Sequence, residues 1–262
     1  MEIAVLMTCY NRVETTLRCL HSLFNQTITQ SPTHPISFDV WLVDDASPDG
    51  TGAKVKEAFP EVNVIQGSGG LFWCKGMRLA WDSAAASGVD YDFYLWLNDD
   101  VMLRPDAIAN VLADHAREGG LIVGKTSSDE REQDVSFGLK GANGDWMNGN
   151  LVLVSREVFK KIGPIYGGYR HGYGDHDYGL QAKRAGFGLC LSSEYCGVCP
   201  QQPERYRWLE GRSLVERYKL LFDPKGYNLH DAVIFRYRNW GIVMAAICVC
   251  HMLARATFNW RE

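Results

Sequence analysis

The sequence predicts an α/β protein with a mostly parallel central sheet flanked by helices and a helical extension at its C-terminal end. Three observations predict it. Short apolar runs alternate with segments of helical apolar spacing through the first half of the chain. Several of these runs stop at a polar loop rather than at a hairpin turn. And 46% of the 262 residues are hydrophobic, which supplies a full core for one large domain without covalent staples. Strand–helix alternation of this kind favours parallel pairing with right-handed crossovers.

Residues 3–8 form a continuous apolar run, as a strand covered on both faces requires. Val13, Leu17, Leu20 and Phe24 then recur at helical spacing. A second strand is expected over 38–43, followed by the polar loop 44–50, a helix to about Phe59 and a short strand at 62–66. After the glycine-rich turn 67–70, a helix is expected over 76–87 and a fourth strand over 91–97, stopping at Asn98-Asp99-Asp100. Pro105 opens the next helix, where its missing N–H costs nothing. In the second half, 138–149 reads as a loop, Leu151–Ser155 as a strand and 158–162 as a short helix. Residues 163–174 hold five glycines and three tyrosines, so a mobile, substrate-facing loop is expected there. A helix over 176–184 ends at Gly186, and 188–191 reads as a strand. The expected organisation is a catalytic domain over 1–200 and a helical extension over 201–262 packing on it.

Composition narrows the function. The 27 basic residues are outnumbered by 31 acidic ones and form no long run, so a nucleic-acid surface is not expected. The eight cysteines are irregularly spaced, and the single CxxC, Cys196 to Cys199, has no second pair to complete a zinc site. The apolar stretch 3–7 is shorter than the roughly 7–15 residues of a signal peptide core, which points to the cytoplasm. The most apolar stretch, 240–253, falls short of the roughly 20 residues a transmembrane helix needs. With Arg236, Arg238 and Arg255 around it, it reads either as an interfacial helix at the inner membrane face or as a packing helix.

Three polar loops, 8–12, 44–50 and 98–100, fall at the carboxyl ends of expected strands, the edge where parallel sheets bind ligands. Asp99 and Asp100 are adjacent carboxylates there. A hard divalent cation, Mg²⁺ or Mn²⁺, would relieve their repulsion and bridge to substrate phosphates; a solvated acidic turn is the plainer alternative. Of Asp44 and Asp45, one is expected to meet a base or ribose and the other to cap the turn. Asp175 is either a helix N-cap, worth about 1 kcal/mol, or a general base. His171 and His176 read as loop polar groups.

These motifs, in order, resemble the family 2 glycosyltransferases of the GT-A fold, particularly bacterial polysaccharide enzymes of the rhamnosyl- and galactofuranosyl-transferase kind. Met7-Thr8-Cys9-Tyr10-Asn11-Arg12 is similar to the opening T-x-Y-N-R. Residues 43–51 (VDDASPDGT) resemble V-D-D-x-S-x-D-G-T, and Leu97-Asn98-Asp99-Asp100 occupies the D-x-D position. Residues 174–187 resemble the E-D-x-D-L…R-A-G segment. The resemblance implies that Thr8, Tyr10, Arg12 and one of Asp44 and Asp45 hold the nucleotide, with Trp73 and Lys75 along the donor. It implies Asp99 at ribose and metal, Asp100 as metal ligand for Mn²⁺ or Mg²⁺, and Asp175 as catalytic base. Trp146, Asn148 and Asp177 are implied near the acceptor. Two departures stand out: Asn98 replaces the first D-x-D carboxylate, and the later metal-binding His is missing, leaving Cys199 or water in its place. The processive Q-x-x-R-W signature is only approached at 202–206, so single addition is expected.

The implied reaction moves a sugar, with inversion, from a nucleotide-diphosphate donor to a hydroxyl of a glycan or lipid-linked acceptor in cell-surface polysaccharide or glycan synthesis. The alternative is an inactive carbohydrate-binding or scaffolding descendant. A nucleotidyltransferase would carry a glycine-rich phosphate loop after the first strand, and 8–12 has no glycine.

Overall fold

The computed structural model describes residues 1–27, 36–128, 139–140, 146–200 and 211–258. In chain order the elements are β1 (Glu2–Cys9), α1 (Val13–Phe24), β2 (Ser37–Asp44), α2 (Thr51–Ala58), β3 (Asn63–Gln66), α3 (Phe72–Ala86) and β4 (Phe93–Leu97). Then come β5 (Met102–Leu103), α4 (Ala107–Glu118), β6 (Leu121–Ser127), β7 (Leu139–Lys140), β8 (Trp146–Met147) and β9 (Leu151–Ser155). The last are α5 (Arg156–Ile162), α6 (Gly174–Arg184), β10 (Leu189–Val198), α7 (Leu214–Phe222) and α8 (Leu229–Phe258).

The expected α/β architecture is present: an eight-stranded sheet ordered β3-β2-β1-β4-β9-β6-β10-β5 and flanked by helices. Its first block, β3-β2-β1-β4, is parallel throughout, as is β6 with β10. Strand β9 enters antiparallel between β4 and β6, and β5 lies antiparallel on the far edge.

The period of two explains why β1 reads as one apolar run. Ile3, Val5 and Met7 face a core with α1 and α4, while Ala4 and Leu6 face a second core built on Met77, Ala80 and Trp81 of α3. All five are fully buried, so no position is left for a polar residue.

Three readings need correction. Helix α3 begins at Phe72, not at 76, because the Asp45 carboxylate accepts the Leu71 and Phe72 amides at 2.9 and 3.1 Å and satisfies the first turn from another strand. Residues 121–127, assigned to no element from the sequence, form β6, and its partner β10 extends well past 191. The polar stretch Ser192-Ser193-Glu194 disguises that extension. Its register shifts there, and the Ser192 hydroxyl accepts the Lys125 amide and donates to the Glu194 carbonyl. Finally, 240–253 belongs to a 30-residue helix, long and apolar enough by composition to cross a membrane, of which only 17% of the most apolar stretch is buried. Gly241 interrupts it with φ 84°, a left-handed backbone that a side chain would strain. Half of the 138–149 loop reading, and the 202–206 signature, lie outside the described residues; within the other half, 139–140 and 146–147 pair as the short antiparallel strands β7 and β8 rather than as loop.

The C-terminal helices are fastened to the sheet domain by polar groups before that break. Asp231, fully buried, accepts the amides of Arg170, His171 and Gly172 at 2.8–3.1 Å, so the loop expected to be mobile is tied down there. Asp177 of α6 receives Arg238 and the Asn239 side chain at 3.2 and 2.8 Å.

Candidate active site

Because β1, β2 and β4 run parallel and in register, their carboxyl ends bring residues 8–12, 44–45 and 98–100 to one edge. Helix α3 can lie close over β1 because position 76 is glycine: a Cβ there would stand 2.3 Å from the Thr8 hydroxyl. Two cavities open at this edge. The first, of about 350 Å³, is lined by Thr8, Tyr10, Arg12, Asp45, Trp73 and Asp99 among others. The second, of about 470 Å³, is lined by Trp73, Asn98, Trp146, Asn148 and Asp175 among others. Trp73 and His171 border both.

Asp44 and Asp45 differ in their partners. Asp44 accepts the Ser47 and Gly52 amides at 3.0 and 3.1 Å, fixing the turn and the start of α2, and does not line the first cavity. Asp45 does line it, while its carboxylate also accepts the Gly69 amide at 2.7 Å.

Asp99 and Asp100 share one cation from within the chain. The Arg12 guanidinium lies 3.1 Å from Asp99 Oδ1 and 2.7 Å from Asp100 Oδ2. Burial pushes the Asp99 carboxyl up to about 7, against the pull of Arg12. The Cys199 thiol donates to Asp100 Oδ1 at 3.4 Å. Burial and the Asp100 charge raise this thiol, which keeps it protonated and a donor. Among the described residues no cluster of three His, Cys, Asp or Glu forms a closed metal cage. Asp99 lines the first cavity, while Asp100 lines neither and is joined to it through Arg12; such a carboxylate pair nevertheless suits Mg²⁺ or Mn²⁺, which take one or two carboxylates and complete their shell with phosphates and water.

Asn98 has a role that a carboxylate could not fill. Its Oδ1 accepts the Trp73 indole N–H at 2.7 Å, and its Nδ2 donates to Asn150 Oδ1 at 2.9 Å. A carboxylate only accepts, so aspartate here would lose the second bond. The departure from D-x-D therefore holds the wall between the two cavities.

Asp175 sits in the first turn of α6, but Tyr173 is the N-cap and the α6 cap makes no side-chain hydrogen bond. Asp175 is therefore not the N-cap residue, although its Oδ1 accepts the His176 amide inside the first turn at 2.9 Å. Its Oδ2 instead accepts the Gly149 amide at 3.1 Å, and the residue faces the second cavity beside Trp73. Trp146 and Asn148 line that cavity too, Trp146 edge-on to His176 with centroids 5.0 Å apart. Asp177 does not line it: it is 2% exposed and committed to Arg238 and Asn239. Lys75 lines neither cavity. The lysine that lines both is Lys225, from the α7–α8 turn, together with His171. Sequence reasoning missed Lys225 because nothing periodic marks a turn residue that a distant helix pair carries to the site.

A family model described as "Glycosyl transferase family 2" matches residues 4–170. Among solved structures, the mannosyltransferase PcManGT from Pyrobaculum calidifontis in complex with GDP-Man and Mn²⁺ is similar. Its TM-score is 0.60 at 16% identity, over 96% of this chain and 75% of that one. S. aureus TarS 1-349 in complex with UDP-GlcNAc is similar at TM-score 0.61 and 14% identity, over 98% and 82%. At these identities the structures bear on the fold, which they share with this chain. No curated protein matches the sequence.

Proposed function

The chain belongs to glycosyl transferase family 2, and from that premise we propose that it transfers a sugar from a nucleoside-diphosphate donor to an acceptor hydroxyl, with inversion. The observation that carries the reading is the pair of cavities meeting at Trp73, with Asp175 in the second cavity and the nucleotide-type wall of Thr8, Tyr10 and Asp45 in the first. The donor occupies the first cavity and the acceptor the second.

Asp175 takes the proton from the attacking hydroxyl. It is suited to that because its carboxylate is oriented by the Gly149 amide and, among the described residues, pairs with no Lys or Arg; the His176 ring lies 3.9 Å away. Asp99 and Asp100 would hold Mn²⁺ or Mg²⁺, which when bound neutralises charge on the departing diphosphate. Arg12 keeps these two carboxylates together and limits their mutual repulsion. Trp73, fixed by Asn98, forms the wall along which the sugar passes from donor to acceptor. The acceptor is a glycan or lipid-linked sugar in cell-surface polysaccharide or glycan synthesis, on the cytoplasmic side. The apolar face of α8 contacts the inner membrane surface there.

Thermal stabilisation by UDP, dTDP and GDP, each with and without Mn²⁺, tests the donor site. A ligand at 100 times its dissociation constant adds about 2.7 kcal/mol, and one of the three is expected to do so. Stabilisation with no turnover on any acceptor would favour a non-catalytic binding protein. No stabilisation by any of them would remove the donor assignment.

A further inference from the structure

The first cavity is lined by two basic side chains, Arg12 and Lys225, and they are not equivalent. Arg12 is engaged by Asp99 and Asp100. Among the described residues no carboxylate pairs with the Lys225 ammonium, which instead lies 5.5 Å from the ring centroid of Tyr10. It also borders the second cavity, so it stands at the junction between the nucleotide side and the side where Asp175 waits.

The turn that presents it is built for position. Gly226 donates to the Asp223 carbonyl at 3.0 Å and Tyr227 to the Leu220 carbonyl at 2.8 Å. A Cβ on Gly226 would stand 2.3 Å from the Leu220 carbonyl, so this close reversal requires glycine. On the other side, Asn228 bonds Asp231, and Asp231 holds the amides of 170–172. One carboxylate thus locks the Lys225 turn to the loop carrying His171, which borders both cavities as Trp73 does.

We infer that Lys225 is a diphosphate-binding residue of the donor site, delivered by the C-terminal helices rather than by the sheet edge. This rests on the donor-site reading above and assigns the part of the donor it meets. The nucleoside lies toward Thr8 and Asp45 and the transferred sugar toward Asp175, so the phosphates fall between them, under Lys225. An ammonium is a compact cation on a flexible stem. It neutralises the oxygens that gain charge as the diphosphate departs, and it exchanges its contact with Tyr10 for them when the donor enters.

The test compares UDP, dTDP and GDP with their monophosphates by titration calorimetry, on the full chain, in Lys225→Met and Lys225→Arg. Lys225 is exposed, so both variants should keep the wild-type circular dichroism and melting temperature. The Met variant is expected to bind the preferred diphosphate about tenfold more weakly, since a charge-assisted hydrogen bond is lost. Its monophosphate affinity should change less than about twofold, and the Arg variant should recover most of the diphosphate affinity. Unchanged diphosphate affinity in the Met variant, or equal losses for both nucleotides, overturns the assignment. Wild-type protein that binds no nucleotide overturns the donor-site reading itself, and this inference with it.

Discussion

The sheet edge and the C-terminal helices reach the same two cavities by different routes. At the edge, each polar group stands at or just beyond the carboxyl end of a largely buried strand: Thr8 lies at the end of β1, Asp45 follows β2, and Asn98 to Asp100 follow β4. On the opposite side, Lys225, Asn228 and Asp231 arrive on a helix–turn–helix whose own small core is Leu221, Ala232, Met252 and Ala256. The first region is positioned by hydrogen-bonded register, which repeats at every residue. The second is positioned by a few buried polar contacts, each of which is singly responsible for its placement. Substitutions at the edge should therefore change chemistry with little effect on stability, and substitutions at the fastening should do the reverse.

The largest effect is expected at Asp175. Asp175→Asn keeps the shape and the Gly149 contact but removes the proton acceptor. Turnover should fall about 10²- to 10⁴-fold, with nucleoside-diphosphate affinity and melting temperature close to wild type. Steady-state sugar transfer beside calorimetry reads both. Near-native turnover would remove Asp175 as the base.

The fastening predicts the opposite pattern. Asp231→Ala leaves the amides of Arg170, His171 and Gly172 without their acceptor, in a position with no solvent. Breaking such a buried charged contact costs about 3 kcal/mol, a drop in Tm of roughly 6–12 °C for a chain of this size. The pH dependence has a definite sign. Burial alone would raise the Asp231 carboxyl, but the His171 amide, His230, Asn228 and the Arg170 amide outweigh it and hold it below the ordinary carboxylate range. A depressed carboxyl stabilises the fold above its unfolded pKa, and that contribution is lost only as pH falls through the folded value. The difference in Tm between wild type and variant should hence stay constant over about pH 5–8 and shrink only in acid. A difference that varies between neutral and mildly alkaline pH would show that the Asp231 charge is not its source.

The same contrast explains what was legible in the sequence. Period and termination locate β1, β2 and β4, and with them Thr8, the Asp44–Asp45 pair, Asp99 and Asp100, because a doubly covered strand must be apolar and must end in something polar. The polar residues whose partners lie far away in sequence were not legible. Asp177 looks like an acceptor-site residue from its neighbours, yet Arg238 and Asn239, about sixty positions later, take it out of the cavity. Asn98 looks like a damaged metal ligand until Trp73 and Asn150 are beside it. Lys75 lies on a helix whose observed start depends on Asp45, a carboxylate from another strand, and it lines neither cavity. In each case local pattern gives the element, and a single long-range polar contact decides which way the side chain serves.

The smallest effect, and the one that separates the two regions most cleanly, concerns α8 beyond Gly241. From Ile242 to Phe258 this segment has no Asp or Glu, and Ile242, Val243, Ile247 and Phe258 are 70%, 66%, 54% and 77% exposed. Its other face packs on α7 through Met252 and Ala256 against Leu221. Sixteen or so residue steps rise about 25 Å, less than the hydrocarbon thickness of roughly 30 Å, and one side is already occupied by α7. Such a segment suits the plane of a lipid surface better than a span across it. Arg255 within it and Arg236, stacked at 5.3 Å on Trp240 just before the break, are both positive, which matches anionic headgroups and disfavours pairing with an identical copy. Wild-type protein should therefore cosediment with vesicles containing phosphatidylglycerol. Ile242→Glu and Ile247→Glu should each weaken that partitioning about tenfold, while nucleotide affinity stays unchanged because neither residue lines a cavity. Equal partitioning of wild type and the double variant would sink the lipid assignment. A dimer in the absence of lipid, lost in the double variant, would give the face to a second copy of the chain instead.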